Sequence, residues 1–119
     1  MAIFLRYAPE EARRELGPKA IRGEQIWCQM FSEPGAGSDL AAVRLKAERH
    51  SKDGVEGWLL NGQKLWTSWA QVADWGFIVA RTNSDGPKHA GITCFYADMH
   101  SQGISVRPIR RMAGHDDVN

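Results

Sequence analysis

From Ile26 onward, short apolar runs are separated at regular intervals by clusters of Gly, Pro, Asn, Asp and Ser, and this spacing limits the fold more than any other feature. Ile26 to Ser32 is the first such run. Val43 to His50 alternates Val43, Leu45 and Ala47 with Arg44, Lys46 and Glu48, the period of two expected of a half-buried strand. Ser51-Lys52-Asp53-Gly54 then reads as a hairpin turn, with Val55 to Leu60 returning. Asn61-Gly62 makes a second tight turn, followed by a short strand over Lys64 to Ser68 and one helical turn within Trp69 to Asp74. Trp75 to Arg81 is a continuous apolar run, typical of a strand covered on both faces. A polar loop over Asn83 to His89 leads to the last strands, Gly91 to Asp98 and Ile104 to Ile109. The pattern predicts a mainly β fold, a small barrel or sandwich of six to seven antiparallel strands.

A short helix is expected before the strands. Pro9-Glu10-Glu11 opens it, because proline suits the first turn and acids suit the positive end. Glu10 and Arg14 are spaced to pair, and Gly17-Pro18 should break or bend the helix. With 119 residues the chain has room for one domain with a modest core.

A formal net charge of +1 gives no pull toward nucleic acid or an anionic membrane, and no apolar run is long enough to span a bilayer. Nucleic-acid and membrane partners are therefore not expected, and a cytoplasmic location follows by default. Cys28 and Cys94 lie far apart in apolar segments and read as buried free thiols. His50, His89, His100 and His115 are scattered, so no metal site is expected. The tail His115-Asp116-Asp117 reads as a frayed polar terminus.

The segment between the first two strands carries most of the chemistry. Phe31-Ser32-Glu33-Pro34-Gly35-Ala36-Gly37-Ser38-Asp39 packs two glycines and a proline into an exposed turn. Such a turn presents backbone N–H groups and small hydroxyls, a surface suited to anionic or carbonyl-bearing ligands. The five tryptophans, Trp27, Trp58, Trp66, Trp69 and Trp75, suit a pocket for a flat aromatic ligand and suit a plain β core equally well.

Three strings in this chain closely resemble acyl-CoA dehydrogenases in order and spacing: Trp27 to Asp39, Asn61 to Ser68 with Ala73-Asp74-Trp75, and Gly91-Ile92-Thr93 with Asp98-Met99 and Gly103-Ile104. The resemblance covers about Tyr7 to Asn119. It implies a compact β domain that normally lies between two helical domains, with FAD as cofactor and acyl-CoA as substrate. Carried over position by position, Gln29, Phe31 and Ser32 would cradle the isoalloxazine ring. Trp66 would pack on the flavin, and Ser68 would reach its reactive nitrogen from the same strand face. Ser38 matches the position that meets the coenzyme A part of the substrate. Asp39 reads as a cap on the turn, and Lys88 and His89 as an exposed polar loop. Glu33 reads as part of the loop, not as the base.

The resemblance also implies a division, with residues 1–24 as the end of the N-terminal helical domain and 25–119 as the middle β domain. The closing strand and the C-terminal helical domain are then expected to be missing, and with them the carboxylate base, so no catalytic residue is expected here. Homo-oligomerisation, or association with a chain that supplies the missing parts, is implied. Trp69 stands where many relatives carry a small residue; it either reshapes the acyl pocket or packs outward. Two other readings stay open: a truncated β module without catalysis, and a related flavin oxidase or monooxygenase on the same scaffold.

Overall fold

The computed structural model describes residues 1–119. It opens with a short helix, α1 (Ala2–Tyr7), which the sequence pattern did not signal. Phe4 is its buried residue, and its ring lies 4.9 Å from that of Trp27 and 5.3 Å from that of Tyr96. A second helix, α2 (Glu10–Ile21), carries Glu10 and Glu11 in its first turn. Arg14 pairs with Glu10 at 2.5 Å, though both side chains are exposed and such a pair contributes little.

Of the expected break or bend at Gly17-Pro18, the break is absent: the helix runs on to Ile21 with Pro18 inside it. Pro18 removes one backbone donor, but Gly17 lets α1 pack close: a Cβ there would lie 2.8 Å from Leu5 Cδ2. The docking of one helix on the other outweighs the local disfavour.

Five strands follow: β1 (Trp27–Met30), β2 (Lys46–Lys52), β3 (Val55–Asn61), β4 (Trp75–Arg81) and β5 (Ile92–Asp98). They form one open sheet. β4 is its centre, as its apolar run requires. β5 pairs antiparallel with the whole of β4, from Trp75↔Asp98 to Arg81↔Ile92. β1 pairs parallel with the first part of β4, Trp27↔Trp75 to Met30↔Ile78. The antiparallel hairpin of β2 and β3 joins through a single parallel pair, Lys46↔Arg81.

The expectation of a closed barrel or sandwich of six to seven antiparallel strands is thus corrected. The sheet has five strands, it is open, and β1 and β2 run parallel to β4. Two expected strands are absent. Lys64 to Ser68 is a loop, because Trp66 sits at φ +62 and takes the backbone out of the extended region. Ile104 to Ile109 keeps its alternation, and Ile104 and Val106 pack on the cluster of Cys28, Ala70, Ala73 and Met99, but no strand pairs with it. Period-two patterning reports which side chains are buried; it does not report whether a neighbour is present to complete a ladder. The expected helical turn is present at Ala70–Val72.

Two further expectations are corrected. Cys28 is buried, but Cys94 is exposed, as it faces outward from the edge strand β5. The polar tail is docked, not frayed. Thr67 and Asn119 exchange backbone hydrogen bonds at 2.8 and 2.9 Å, the Trp69 N–H donates to Asp117 O at 2.8 Å, and the Ile109 N–H donates to Val118 O at 2.8 Å.

Only 18 of 119 residues are buried, so local turn geometry carries a large share of the order. The β2–β3 hairpin shows this. Asp53 (φ +54) and Gly54 (φ +79) both take left-handed conformations, as a two-residue turn matched to strand twist demands. Gly54→Ala is expected to cost about 1–2 kcal/mol, read as a lower urea midpoint with an unchanged slope. No helix of the chain is long and apolar enough to cross a membrane.

Candidate functional site

The end of β1 leads directly into the Gly-rich turn. Glu33 and Ala36 close it with two backbone bonds, Glu33 N–H to Ala36 O at 2.8 Å and Ala36 N–H to Glu33 O at 3.1 Å. Ala36 is buried beneath the turn, so Pro34 and Gly35 form the exposed tip. The Glu33 side chain turns inward and is almost fully buried. Its Oε1 accepts from Lys64 Nζ at 2.8 Å and from the Leu45 N–H at 2.9 Å, and its Oε2 accepts from the Arg44 N–H at 2.7 Å. Burial pushes this carboxyl up, but the bonds from Lys64, Arg44 and Leu45 outweigh it and hold the group below the usual glutamate range. Burial pulls the Lys64 ammonium below its ordinary value, partly offset by Glu33.

Opposite the turn lies the loop from Gly62 to Trp69. The Leu65 N–H donates to Ser32 O at 2.9 Å, which brings the two segments together. Trp66 and Trp69 both have φ +62, an uncommon conformation for a bulky residue. The result is an inside and an outside. Thr67 is buried, and Ala70 with it, while Trp66 and Trp69 remain 60% and 56% exposed. Trp69 thereby stands exposed at the rim of the cleft that Trp66 lines.

Gln29, Phe31, Ser32, Trp66 and Ser68 line one cleft of about 430 Å³, with Trp27, Leu65 and Trp69 beside them. These are the five residues expected to hold a flavin. Strand alternation does not bring Trp66 and Ser68 to one side; the left-handed backbone at Trp66 does. The Trp27 ring packs on Phe4 and Trp75, and its Nε1 is buried without a hydrogen-bond partner. Gln29 and Ser68 are exposed and Ser32 is half-buried, so the wall offers hydroxyl and amide groups beside exposed indoles.

Ser38 is not among the lining residues; it lies exposed on the far limb of the turn. Asp39, beside it, stands at the start of the turn Leu40–Ala42 but makes no side-chain cap. Its carboxylate instead accepts from Lys88 Nζ at 2.8 Å, and that bond holds it below the usual aspartate range. Lys88 is therefore engaged.

Sequence reasoning missed Arg81. Its guanidinium donates to the carbonyls of Ala41 (2.6 Å), Val43 (3.3 Å), Lys88 (3.0 Å) and Ala90 (2.7 Å), tying the Ser38 limb to the 83–91 loop. An arginine closing an apolar run carries no sequence signal of this role. A second, larger cavity of about 550 Å³ lies behind the cleft, against Met30, Leu45, Ile78, Ile104 and Ile109, and none of the six expected residues lines it.

A family model described as the acyl-CoA dehydrogenase middle domain matches residues 28–119. Acyl-CoA dehydrogenase FadE34 of Mycobacterium tuberculosis is 57% identical over 111 residues, covering 93% of this chain and 15% of that protein. The ChsE4–ChsE5 complex from Mycobacterium tuberculosis contains a chain that superposes with a TM-score of 0.82 at 35% identity, covering 97% of this chain and 30% of that one. A glutaryl-CoA dehydrogenase from Mycobacterium smegmatis, solved in complex with FADH2, superposes with a TM-score of 0.76 at 32% identity, covering 91% of this chain and 25% of that one. The chain spans less than a third of the length of each of these relatives.

Proposed function

The chain belongs to the acyl-CoA dehydrogenase family, and from that premise we propose that its aromatic cleft holds the isoalloxazine ring of FAD while the Gly35 to Asp39 limb meets an acyl-CoA. The observation that carries this reading is the convergence of Gln29, Phe31, Ser32, Trp66 and Ser68, from two segments more than thirty residues apart, on one concave surface. The surface suits the ring. An indole face at Trp66 packs on a flat heterocycle, and the Ser32 hydroxyl and Gln29 amide can donate to a polar edge. FAD, when bound, accepts the hydride that leaves the β-carbon of an acyl-CoA.

The chain's own residues bind and orient. Trp66 and Trp69 exclude water from the ring face, and Ser32 and Ser68 fix its rotation in the cleft. Glu33 does not serve as the proton acceptor: its oxygens are occupied by Lys64 and two backbone N–H groups, and the pair is nearly closed to solvent. In this reading Ser38 meets the coenzyme A portion outside the ring cleft; the limb that carries it is held by Arg81 and by the exposed Asp39–Lys88 pair. Residues 1–24 belong, in this reading, to a helical domain and 25–119 to the β domain. Association with a second chain of the same family fits the likeness to the ChsE4–ChsE5 complex.

Titration of the chain with FAD, followed by the visible flavin band, tests the reading. Trp66→Ala is expected to weaken binding about five- to 150-fold, since stacking of a flat base on an aromatic side chain contributes roughly 1–3 kcal/mol. Trp66 is well exposed, so the variant should fold. Equal affinities of parent and variant would contradict the assignment.

A further inference from the structure

The two walls of the cleft need something to hold them at a fixed separation. No strand ladder does so: the Gly62 to Trp69 loop meets the end of β1 through one backbone bond, Leu65 N–H to Ser32 O. The other links come from a single side chain. Lys64 Nζ donates to Phe31 O at 3.1 Å and to Glu33 Oε1 at 2.8 Å. Three consecutive residues of one wall, Phe31, Ser32 and Glu33, are thus each bonded to Lys64 or Leu65 of the other. Glu33 is itself fixed to the entry of β2 through the N–H groups of Arg44 and Leu45. Both charged side chains are buried, at 3% and 7% exposure.

The link sits two residues before the strained Trp66. A left-handed backbone at a bulky residue persists only where its surroundings over-determine it. Upstream, Gly62 lies against β2 so closely that a Cβ would be 2.9 Å from Leu45 Cα. Downstream, Thr67 is fixed by Asn119. Between these points, Lys64 is the side chain that joins the loop to the facing wall.

We infer that Lys64, acting through Glu33 and the Phe31 carbonyl, is a positioning residue that sets the width of the cleft and holds Trp66 in its outward, left-handed orientation. The consequence for flavin binding rests on the function proposed above; the geometric claim does not. Removing one member of a buried ion pair leaves an uncompensated buried charge and is strongly destabilising, whereas neutralising both members avoids that penalty. That difference separates a tie that orders the cleft from one that only stabilises the fold.

The test uses the full 119-residue chain in three forms: parent, Lys64→Met, and the double variant Glu33→Gln/Lys64→Met. Amide hydrogen exchange is followed by NMR at Leu65 and, as a reference, at Ile78 and Val79 in β4. In both variants the Leu65 amide should lose at least tenfold more protection than the β4 amides, while the double variant, which leaves no buried unpaired carboxylate, keeps a higher urea midpoint than Lys64→Met. FAD affinity should fall at least tenfold in both. If Leu65 loses protection only in step with β4, Lys64 acts on global stability alone and the inference is overturned. It is equally overturned if neither variant folds, because the pair is then a folding determinant. If the parent binds no FAD, the proposed function fails, and the exchange data still decide the role of Lys64.

Discussion

Glu33→Ala is expected to lower the unfolding free energy by about 3–5 kcal/mol, the range typical when one partner of a buried ion pair is removed. The substitution leaves the Lys64 ammonium, held at 3% exposure, without its carboxylate. It also orphans the N–H groups of Arg44 and Leu45 at the entry to β2, both of which donate to the Glu33 carboxylate. Urea unfolding of parent and variant measures the loss; a difference under about 1 kcal/mol, the scale of an exposed pair, would contradict the burial of this network.

The same comparison has a pH signature. The folded protein holds the Glu33 carboxyl below its unfolded value. Its stabilising contribution is therefore complete above the unfolded value of about 4.3 and is lost as the pH falls through the lower folded value. The stability gap between parent and Glu33→Ala should stay level near neutrality and narrow in acid below about pH 4. A gap that widens in acid would have the wrong sign.

Gly91→Ala is expected to cost about 2–5 kcal/mol, from roughly 1–2 kcal/mol for a left-handed non-glycine residue and about 1–3 kcal/mol for overpacking. Gly91 has φ +68, and an added Cβ would lie 2.2 Å from Asn83 O and 2.9 Å from Asn83 C, both backbone atoms. The Gly91 carbonyl also accepts from the Thr82 N–H at 2.9 Å and the Thr82 hydroxyl at 3.1 Å. Displacing this corner moves the 83–91 loop, whose Lys88 and Ala90 carbonyls hold Arg81. The Ser38 limb should loosen with it, so limited proteolysis within residues 83–90 should accelerate along with the lower urea midpoint. A variant that keeps both the midpoint and the proteolysis rate would show that the corner yields without cost.

The legible part of the fold was the part decided by local pattern. The Asp53-Gly54 hairpin, the central position of Trp75 to Arg81, and the turn at Ala70–Val72 all follow from residues adjacent in sequence. Parallel pairing of β1 with β4 does not, because it joins segments nearly fifty residues apart and leaves no periodic trace. The candidate site was legible through its motifs, but the geometry behind it was not. Trp66 reads as a strand residue from its neighbours, and only the tie at Lys64, the close approach at Gly62 and the docked tail at Asn119 turn it left-handed. Tertiary contacts of that kind override propensity. The docked tail itself was illegible, since His115, Asp116, Asp117 and Asn119 are polar and the order of the segment comes from backbone bonds to Thr67 and Trp69.

The most direct test of the central claim is a map of backbone amide and indole shifts of the labelled chain as FAD is added. Two concave surfaces compete for a ligand: the aromatic cleft and the larger apolar cavity behind it. Shifts concentrated at Gln29, Ser32, Ser68 and the Trp66 indole are the predicted result. Shifts concentrated instead at Leu45, Ile104 and Ile109 would place the ligand in the other cavity and contradict the account.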